Sequence, residues 1–535
     1  MHNSNKRYLG EFYTPLSFAK KAIDYIYKYI SKEELASGKY RIWDMACGLG
    51  NLEYYFDSSI YKYLYMSTIR EEDVLYCKNK FIDACIFQYD YLNDDIYDNN
   101  IIYTKIPEKL KRDLEDKSIK WIIFINPPYA TSQVAGTNSK SKKNVSSSLI
   151  RDIMHREKLG ESSRELYIQF LYRIHKEFFN KSAYLFIFSK TNYIKSNNNE
   201  KIRNTICNYK FMDGFLFSSI NFDDTSKQVP FVISFIMWQI SNSHNIKNEN
   251  IILDVLNDDT TFSIKKNYSV VDSNNLLNKW IKRVRTSETF VPLSSAIKVK
   301  TNGNDIRDKV ASGFIGSLMS CGSDLMKQNL TSILSAPQAS AGSLSITKDN
   351  FEKAMIIHAI RRSIKVNWLN SSDQFIIPKE DISRVFILDC IVWTLFSSSN
   401  QTSSMDNVYY NEKYYKVVNH FYPFRYMEVY DNNSFFDFDG QDRFVAIYIE
   451  ENKKYLSKEA IDLLEKGKEL YKFFYSNIDS INKEKFKILL FDVGFWQIRK
   501  SLKDAKIGVS LLKEIKYYRD VLRENILKES YKFIS

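Results

Sequence analysis

Between Tyr40 and Trp238 the chain alternates short β-rich runs with stretches whose apolar residues recur at helical spacing. No other feature restricts the fold as much. Strands that follow one another through helices bury their apolar faces as a mostly parallel sheet with helices packed on it, an α/β domain. The runs are YRIWDM (40–45), YLYMSTI (63–69), CIFQYD (85–90), WIIFIN (121–126), AYLFIFS (183–189) and FVISFIMW (231–238). Helical spacing is clearest over 16–30 and 164–179, and ILDVL at 252–256 reads as one more edge strand. Between Tyr129 and Arg164 the chain is rich in Ser, Asn and Lys, which predicts a long mobile loop.

Past Trp238 the pattern changes. Residues 240–250 are polar punctuation, and from about 275 the β/α alternation is lost. Residues 311–345 are rich in Ser, Ala and Gly, and 369–375 and 397–405 read as surface loops. The tail from 457 to 533 holds two amphipathic helical stretches. Two domains are expected, 1–270 and 271–535, the second of mixed α+β structure and helical from about 457.

A hydrophobic content of 44% with 15% aromatic residues excludes a disordered chain. No apolar stretch is long enough to span a bilayer, and MHNSNKRYLGEFYTP carries no secretory apolar segment. A cytoplasmic protein is expected, with no membrane partner. The six cysteines form no CxxC pair and the six histidines are dispersed, so neither a metal site nor a disulfide framework is expected. The net charge of +12 fits a polyanionic partner, although a Lys- and Asn-rich composition from an AT-rich genome accounts for it too.

Chemistry concentrates in four short stretches. In WDMACGLGN (43–51), Gly48 and Gly50 allow a sharp turn after a strand, and Asp44 ends that strand where open α/β sheets bind ligands. The third glycine of a dinucleotide fingerprint and the GK[ST] of a phosphate loop are both missing. Asp90 ends another strand, and Thr14 and Pro15 precede the first helix, where Thr14 would serve equally as a plain cap. The fourth is NPPY (126–129). Neither proline can donate to a sheet ladder, so Asn126 is held at a strand's end on a stiff turn.

In this order GEFYTP, DMACGLGN, YD and NPPY resemble the amino-group DNA methyltransferases that use S-adenosyl-L-methionine, over roughly residues 8 to 240. The arrangement is similar to adenine-N6 methylases of type I and Type IIG-like restriction-modification systems. That resemblance implies a Rossmann-like, seven-stranded, mostly parallel sheet followed by a target-recognition region. It implies that Asp44, Ala46, Cys47, Gly48 and Gly50 line the methionine end of the cofactor, that Tyr13, Thr14 and Pro15 close over it, and that Asp90 reads its adenine. The acid that usually binds the ribose at the second strand's end is missing. Thr68 stands there, so either it substitutes or one of Glu71, Glu72 and Asp73 reaches back; these acids would equally start a helix.

The residues support the same chemistry. An adenine amino nitrogen is a poor nucleophile, and two acceptors on its protons favour attack on a sulfonium methyl. Asn126 offers a side-chain oxygen and Pro127 a backbone carbonyl, while Pro128 stiffens the turn. Tyr129 offers a face for a flipped base, worth about 1–3 kcal/mol. Lys140, Lys142 and Lys143, with Arg151 and Arg156, are candidate phosphate contacts on double-stranded DNA. Phe222 has two readings, stacking near the target base or filling the core. Further basic residues, among them Arg361 and Arg362, stand in the second half. No PD…ExK nuclease arrangement stands out, which leaves a separate endonuclease or a specificity subunit as the expected protein partner. The rival readings are cytosine-N4 methylation, an RNA or protein-amide methyltransferase, and an idle DNA-binding subunit that keeps the fold.

Overall fold

The computed structural model describes residues 13–130, 148–222, 230–295, 298–299, 308–338, 342–429 and 441–535. It divides into two compact units, Met1–Ser273 with Val366–Asp373, and Asn274–Lys365 with Gln374–Ser535.

In the first unit α1 (Leu16–Tyr27) leads into β1 (Tyr40–Asp44), β2 (Leu64–Thr68), α2 (Glu71–Lys80), β3 (Cys85–Gln88) and β4 (Lys120–Ile125). Then come α3 (Leu149–Arg156), α4 (Leu166–Phe178), β5 (Ala183–Ser189), β6 (Tyr209–Ser218), β7 (Val232–Ile240), β8 (Ile251–Leu256) and β9 (Phe262–Tyr268). These strands form one nine-stranded sheet in the order β9-β8-β6-β7-β5-β4-β1-β2-β3. It is mixed α/β and mostly parallel from β3 to β5, with β7 antiparallel to both β5 and β6. Residues Trp121 to Ile125 are all buried, as expected of a central parallel strand covered on both faces.

The order reverses beside β1: the chain steps outward to β2 and β3, then returns to place β4 on the other flank of β1. Asp44 at the end of β1 and Asn126 just past β4 therefore share the crevice of a topological switch point.

Two strands escaped the sequence reading, and they bring seven to nine. β6 carries a bulge between Phe211 and Asp213, where its pairing with β7 shifts register, and the polar-small pair Asp213-Gly214 follows it. A Cβ on Gly214 would lie 2.4 Å from the Phe235 carbonyl, so the glycine marks close strand approach rather than a turn. β9 is an exposed edge strand with few apolar residues. The loop expected between Tyr129 and Arg164 contains α3, which buries Ile150, Ile153 and Met154 at helical spacing and is capped by Ser148.

The second unit holds a four-stranded sheet, β12-β10-β11-β13, from β10 (Gly316–Ser320), β11 (Thr331–Leu334), β12 (Ser343–Ile346) and β13 (Asn400–Gln401). Two buried helices, α5 (Phe351–Ser363) and α6 (Arg384–Leu395), pack together, and α7 (Lys458–Ser476), α8 (Phe495–Asp504) and α9 (Val509–Glu529) complete the helical part. Both expected surface loops are mostly buried: Ser371 to Phe375, and all of Ser397–Ser404 except Ser398 and Gln401. Their hydroxyls and amides bury because nearly all are hydrogen-bonded, for example Ser403 N–H to Ser335 Oγ at 2.8 Å.

Segment Val366–Asp373 belongs to the first unit. Asp373 accepts from Lys195 Nζ at 2.7 Å and Lys266 Nζ at 2.8 Å, and Thr191 Oγ1 donates to Ser372 Oγ. Among the described residues no helix is long and apolar enough to cross a membrane, and no group of three or more His, Cys, Asp or Glu is placed to hold a metal ion.

Candidate active site

A cavity of about 320 Å³ opens at the carboxyl ends of β1, β2, β3 and β4. Its wall unites residues from all four chemical stretches: Tyr13 and Thr14, then Asp44, Ala46, Cys47 and Gly48, then Asp90, then Asn126 and Pro128. Thr68 lines it too. Pro15, Gly50, Pro127, Tyr129 and Phe222 do not.

The glycine turn is shaped by backbone geometry. Gly48 and Gly50 have φ of +50° and +70°, and a Cβ on Gly48 would meet the Tyr13 ring at 2.9 Å. A Cβ on Gly50 would meet the Phe81 ring at 2.5 Å. Cys47 N–H donates to Ser67 O, tying the turn to β2. Asp44 is 1% exposed; Ala46 N–H donates to its Oδ1 at 2.8 Å, while its Oδ2 has no hydrogen-bond partner. Burial pushes the Asp44 carboxyl up, to about 7, against the pull of that N–H.

Thr14 does not cap α1. Its Oγ1 instead accepts from Asn126 Nδ2 at 2.9 Å, and its carbonyl accepts from Asn51 Nδ2 at 3.0 Å. These bonds join the segment before the first helix, the glycine turn and the NPPY turn. With the Asn126 amide nitrogen turned to Thr14, its oxygen accepts from the Tyr129 hydroxyl at 2.6 Å. Tyr129 is buried, edge-on to Phe222 with ring centroids 6.4 Å apart. Lys190 Nζ, at the end of β5, donates to the Tyr129 carbonyl at 3.1 Å. Phe222 is 2% exposed and stacked on Phe217, as a core aromatic would be.

Asp90 forms a tight local turn, accepting from Leu92 N–H at 3.0 Å and Asn93 Nδ2 at 2.7 Å. Its loop is pinned from beneath by the fully buried Arg173, which donates to the Tyr91 and Asp94 carbonyls and to Tyr89 Oη.

The structure also separates the three acids that follow β2. Glu71 and Glu72 are exposed in the first turn of α2, where acids favour the helix dipole. Asp73 is 6% exposed and lines the cavity with Arg70. Asn51, Asn93, Ser148 and Phe170 line it as well and were not singled out from the sequence. Asn51 sat inside the quoted glycine stretch; Ser148 and Phe170 arrive through tertiary packing, which spacing does not reveal.

Lys140, Lys142 and Lys143 lie outside the described residues. Arg151 is buried in α3, and Arg361 is 0% exposed in the second unit, donating to the carbonyls of Cys321, Gly322 and Lys327. Arg361 is therefore a framework residue.

No family model matches the chain, and no curated protein does. Among solved structures, the DrdV–DNA complex is similar at 14% identity and a TM-score of 0.35, over 55% of this chain and 33% of that one. The ATP-dependent Type ISP restriction-modification enzyme LlaBIII bound to DNA matches at 13% identity and a TM-score of 0.34, over 71% of this chain and 28% of that one. The M protein of the Type I restriction enzyme EcoKI matches at 10% identity and a TM-score of 0.28, over 46% and 48%. The chain spans less than half the length of each of these, and its similarity to restriction-modification methyltransferases is distant.

Proposed function

We propose that the chain is a site-specific DNA methyltransferase that moves a methyl group from S-adenosyl-L-methionine to adenine N6 of a base flipped out of double-stranded DNA. The observation that carries this reading is one cavity at the switch point that has Asn126 and Pro128 on the same wall as Asp44, the Gly48 turn and Asp90. The cofactor fits the residues present. Asp44 carries an unmatched buried oxygen, and the Gly48 turn leaves backbone exposed where a Cβ would collide. Asp44, Ala46, Cys47 and Gly48 would hold its methionine end, Tyr13 and Thr14 would cover it, and Asp90 would take its adenine. Asp73 answers the missing ribose acid better than Thr68, because it reaches the cavity with a carboxylate. When bound, the cofactor supplies a methyl group on a sulfonium.

The chain's own part is to hold the amine. Asn126 Oδ1 has two lone pairs, so it can accept from Tyr129 and from a substrate N–H together. Thr14 fixes the amide so that its oxygen, not its nitrogen, faces that way. The Pro127 carbonyl, next to the lining residues Asn126 and Pro128 though not itself on the cavity wall, would be the second acceptor once a base enters. An amine nitrogen that took up the methyl group would gain positive charge, which both acceptors would stabilise until its surplus proton passed to water. Tyr129, buried and bonded to Asn126, supports the catalytic amide here rather than offering an open stacking face.

The test is incubation with labelled S-adenosyl-L-methionine and plasmid DNA, RNA or protein extract, followed by identification of the methylated product. N6-methyladenine in DNA is expected, and Asn126→Ala should remove it without loss of fold. Label in N4-methylcytosine, RNA or protein, or full turnover by the variant, would overturn the reading. The +12 charge favours nucleic acid as the substrate class, and an endonuclease or specificity subunit remains the proposed protein partner.

A further inference from the structure

Glu53 follows the glycine turn and is 0% exposed, yet neither of its carboxyl oxygens has a hydrogen-bond partner. Its carboxyl lies within side-chain hydrogen-bond reach of Asp44, the cavity acid with one oxygen bonded to Ala46 N–H and the other unmatched. Three carboxyl oxygens thus lack a donor inside one core. The other titratable groups around Glu53 are the Cys47 and Cys77 thiols, the Tyr61 hydroxyl and Lys80. Both thiols point to the Gly48 carbonyl, and the Lys80 ammonium lies over the Tyr54 ring at 4.3 Å. None of them neutralises Glu53.

Two facing carboxylates cannot stay ionised out of water. One proton between them removes a charge and turns one acceptor into the donor that the other lacks. The surroundings decide which acid takes it. Asp44 has the Ala46 N–H, which favours its ionised form, and it reaches the cavity. Glu53 does not line the cavity, and the pull of its own backbone N–H is outweighed by burial and by Asp44. Burial, and then the Asp44 charge, push the Glu53 carboxyl well above the ordinary carboxylate range.

We infer that Glu53 is a positioning residue kept protonated in the core, whose carboxyl O–H donates to Asp44 and holds it as an ionised acceptor on the cavity wall for a cationic ligand group. This rests on the proposed S-adenosyl-L-methionine site, since that cofactor carries an ammonium and a sulfonium. Ionised Asp44 attracts them; a protonated Asp44 would not.

Two measurements test it. Infrared difference spectra of the whole chain at pH 8 should show a protonated-carboxyl C=O band that Glu53→Gln removes and Asp44→Asn retains. A spectrum unchanged by Glu53→Gln would overturn the inference. Calorimetry with S-adenosyl-L-methionine then compares two variants. Glu53→Gln keeps a neutral donor and should bind within about threefold of wild type, with the same loss of affinity as pH falls through about 7. Glu53→Leu removes the donor and should bind roughly tenfold or more weakly, the expected loss of one hydrogen bond to a charged group. It should also move the loss of affinity to higher pH. Equal weakening in both variants would show that a negative charge on Glu53 is needed, and the idea would fail. If wild type binds no S-adenosyl-L-methionine while the infrared band is present, the functional reading falls and the protonated acid stands.

Discussion

In the first unit the core is written in uninterrupted apolar runs: Trp121 to Ile125 of β4 lie between Ile42 and Trp43 of β1 and Leu185 to Ile187 of β5, all of them buried. In the second unit a mostly buried stretch, Ser397 to Ser404, contains no apolar residue. Most of its polar atoms are satisfied one by one, Thr402 Oγ1 being an exception. Ser399 Oγ and Thr394 Oγ1 flank His358 at 2.9 and 3.0 Å, Ser404 Oγ donates to Leu489 O at 2.6 Å, and Gln497 bonds to both the N–H and the carbonyl of Ser404. A Cβ on Gly494 would stand 2.1 Å from Thr402 O, so backbones touch where side chains would normally fill space. One core depends on apolar area, which is forgiving of direction. The other depends on hydrogen bonds, which are not.

The contrast can be broken most directly at Gln497. Gln497→Leu leaves Ser404 N–H, Ser404 C=O and Gly494 N–H buried without that partner. At about 1–3 kcal/mol for each unmatched group, the loss should exceed about 3 kcal/mol in urea unfolding. Hydrogen exchange should rise around 395–405; a near-neutral result would mean that the polar core is not what holds this unit. Ile123→Ala in β4 should cost about 2–5 kcal/mol by cavity formation, with lost protection confined to β1, β4 and β5. Ser404→Ala should cost about 1–3 kcal/mol, although it removes a single oxygen. Equality with an exposed serine substitution would contradict its burial.

At neutral pH the least visible effect is one that depends on pH. Burial pushes the His358 ring down from its ordinary 6.5 to about 3. The unfolded chain therefore takes the proton first, so His358 favours folding above about 6.5 and loses that contribution as pH falls towards 3. His358→Gln should flatten the acid side of the stability curve by up to about 1.4 kcal/mol per pH unit. An unchanged slope would mean that His358 is protonated when folded.

The same difference explains what the sequence revealed. Apolar runs and helical spacing announced β1 to β5 and β7, because burial on both faces leaves a compositional mark. The residues that line the cavity were partly legible as well, since proline pairs and glycine turns have few structural uses. Asp44, Asn126 and Thr14 meet as three stretches far apart in the chain. β6 was hidden by Asp213-Gly214, and the serine loops were misplaced outside because polarity predicts exposure only when partners are absent. Asp73 could be named among three acids but not chosen, since that choice depends on the phase of α2 against the cavity. Glu53 drew no notice at all: a lone Glu after a glycine turn reads as solvent-facing until its burial is seen.

The strap at Val366–Asp373 bears on how the protein can be divided. Cutting at residue 273, where the unit's first chain segment ends, would discard the carboxylate shared by Lys195 and Lys266, the former with a fully buried side chain. Such a fragment would carry two ammonium groups stripped of their counter-charge, a defect on the order of 3–5 kcal/mol for a broken buried pair. Independence of the sheet therefore requires eight residues encoded nearly a hundred positions downstream, so the gene's natural seam and the molecule's are not the same.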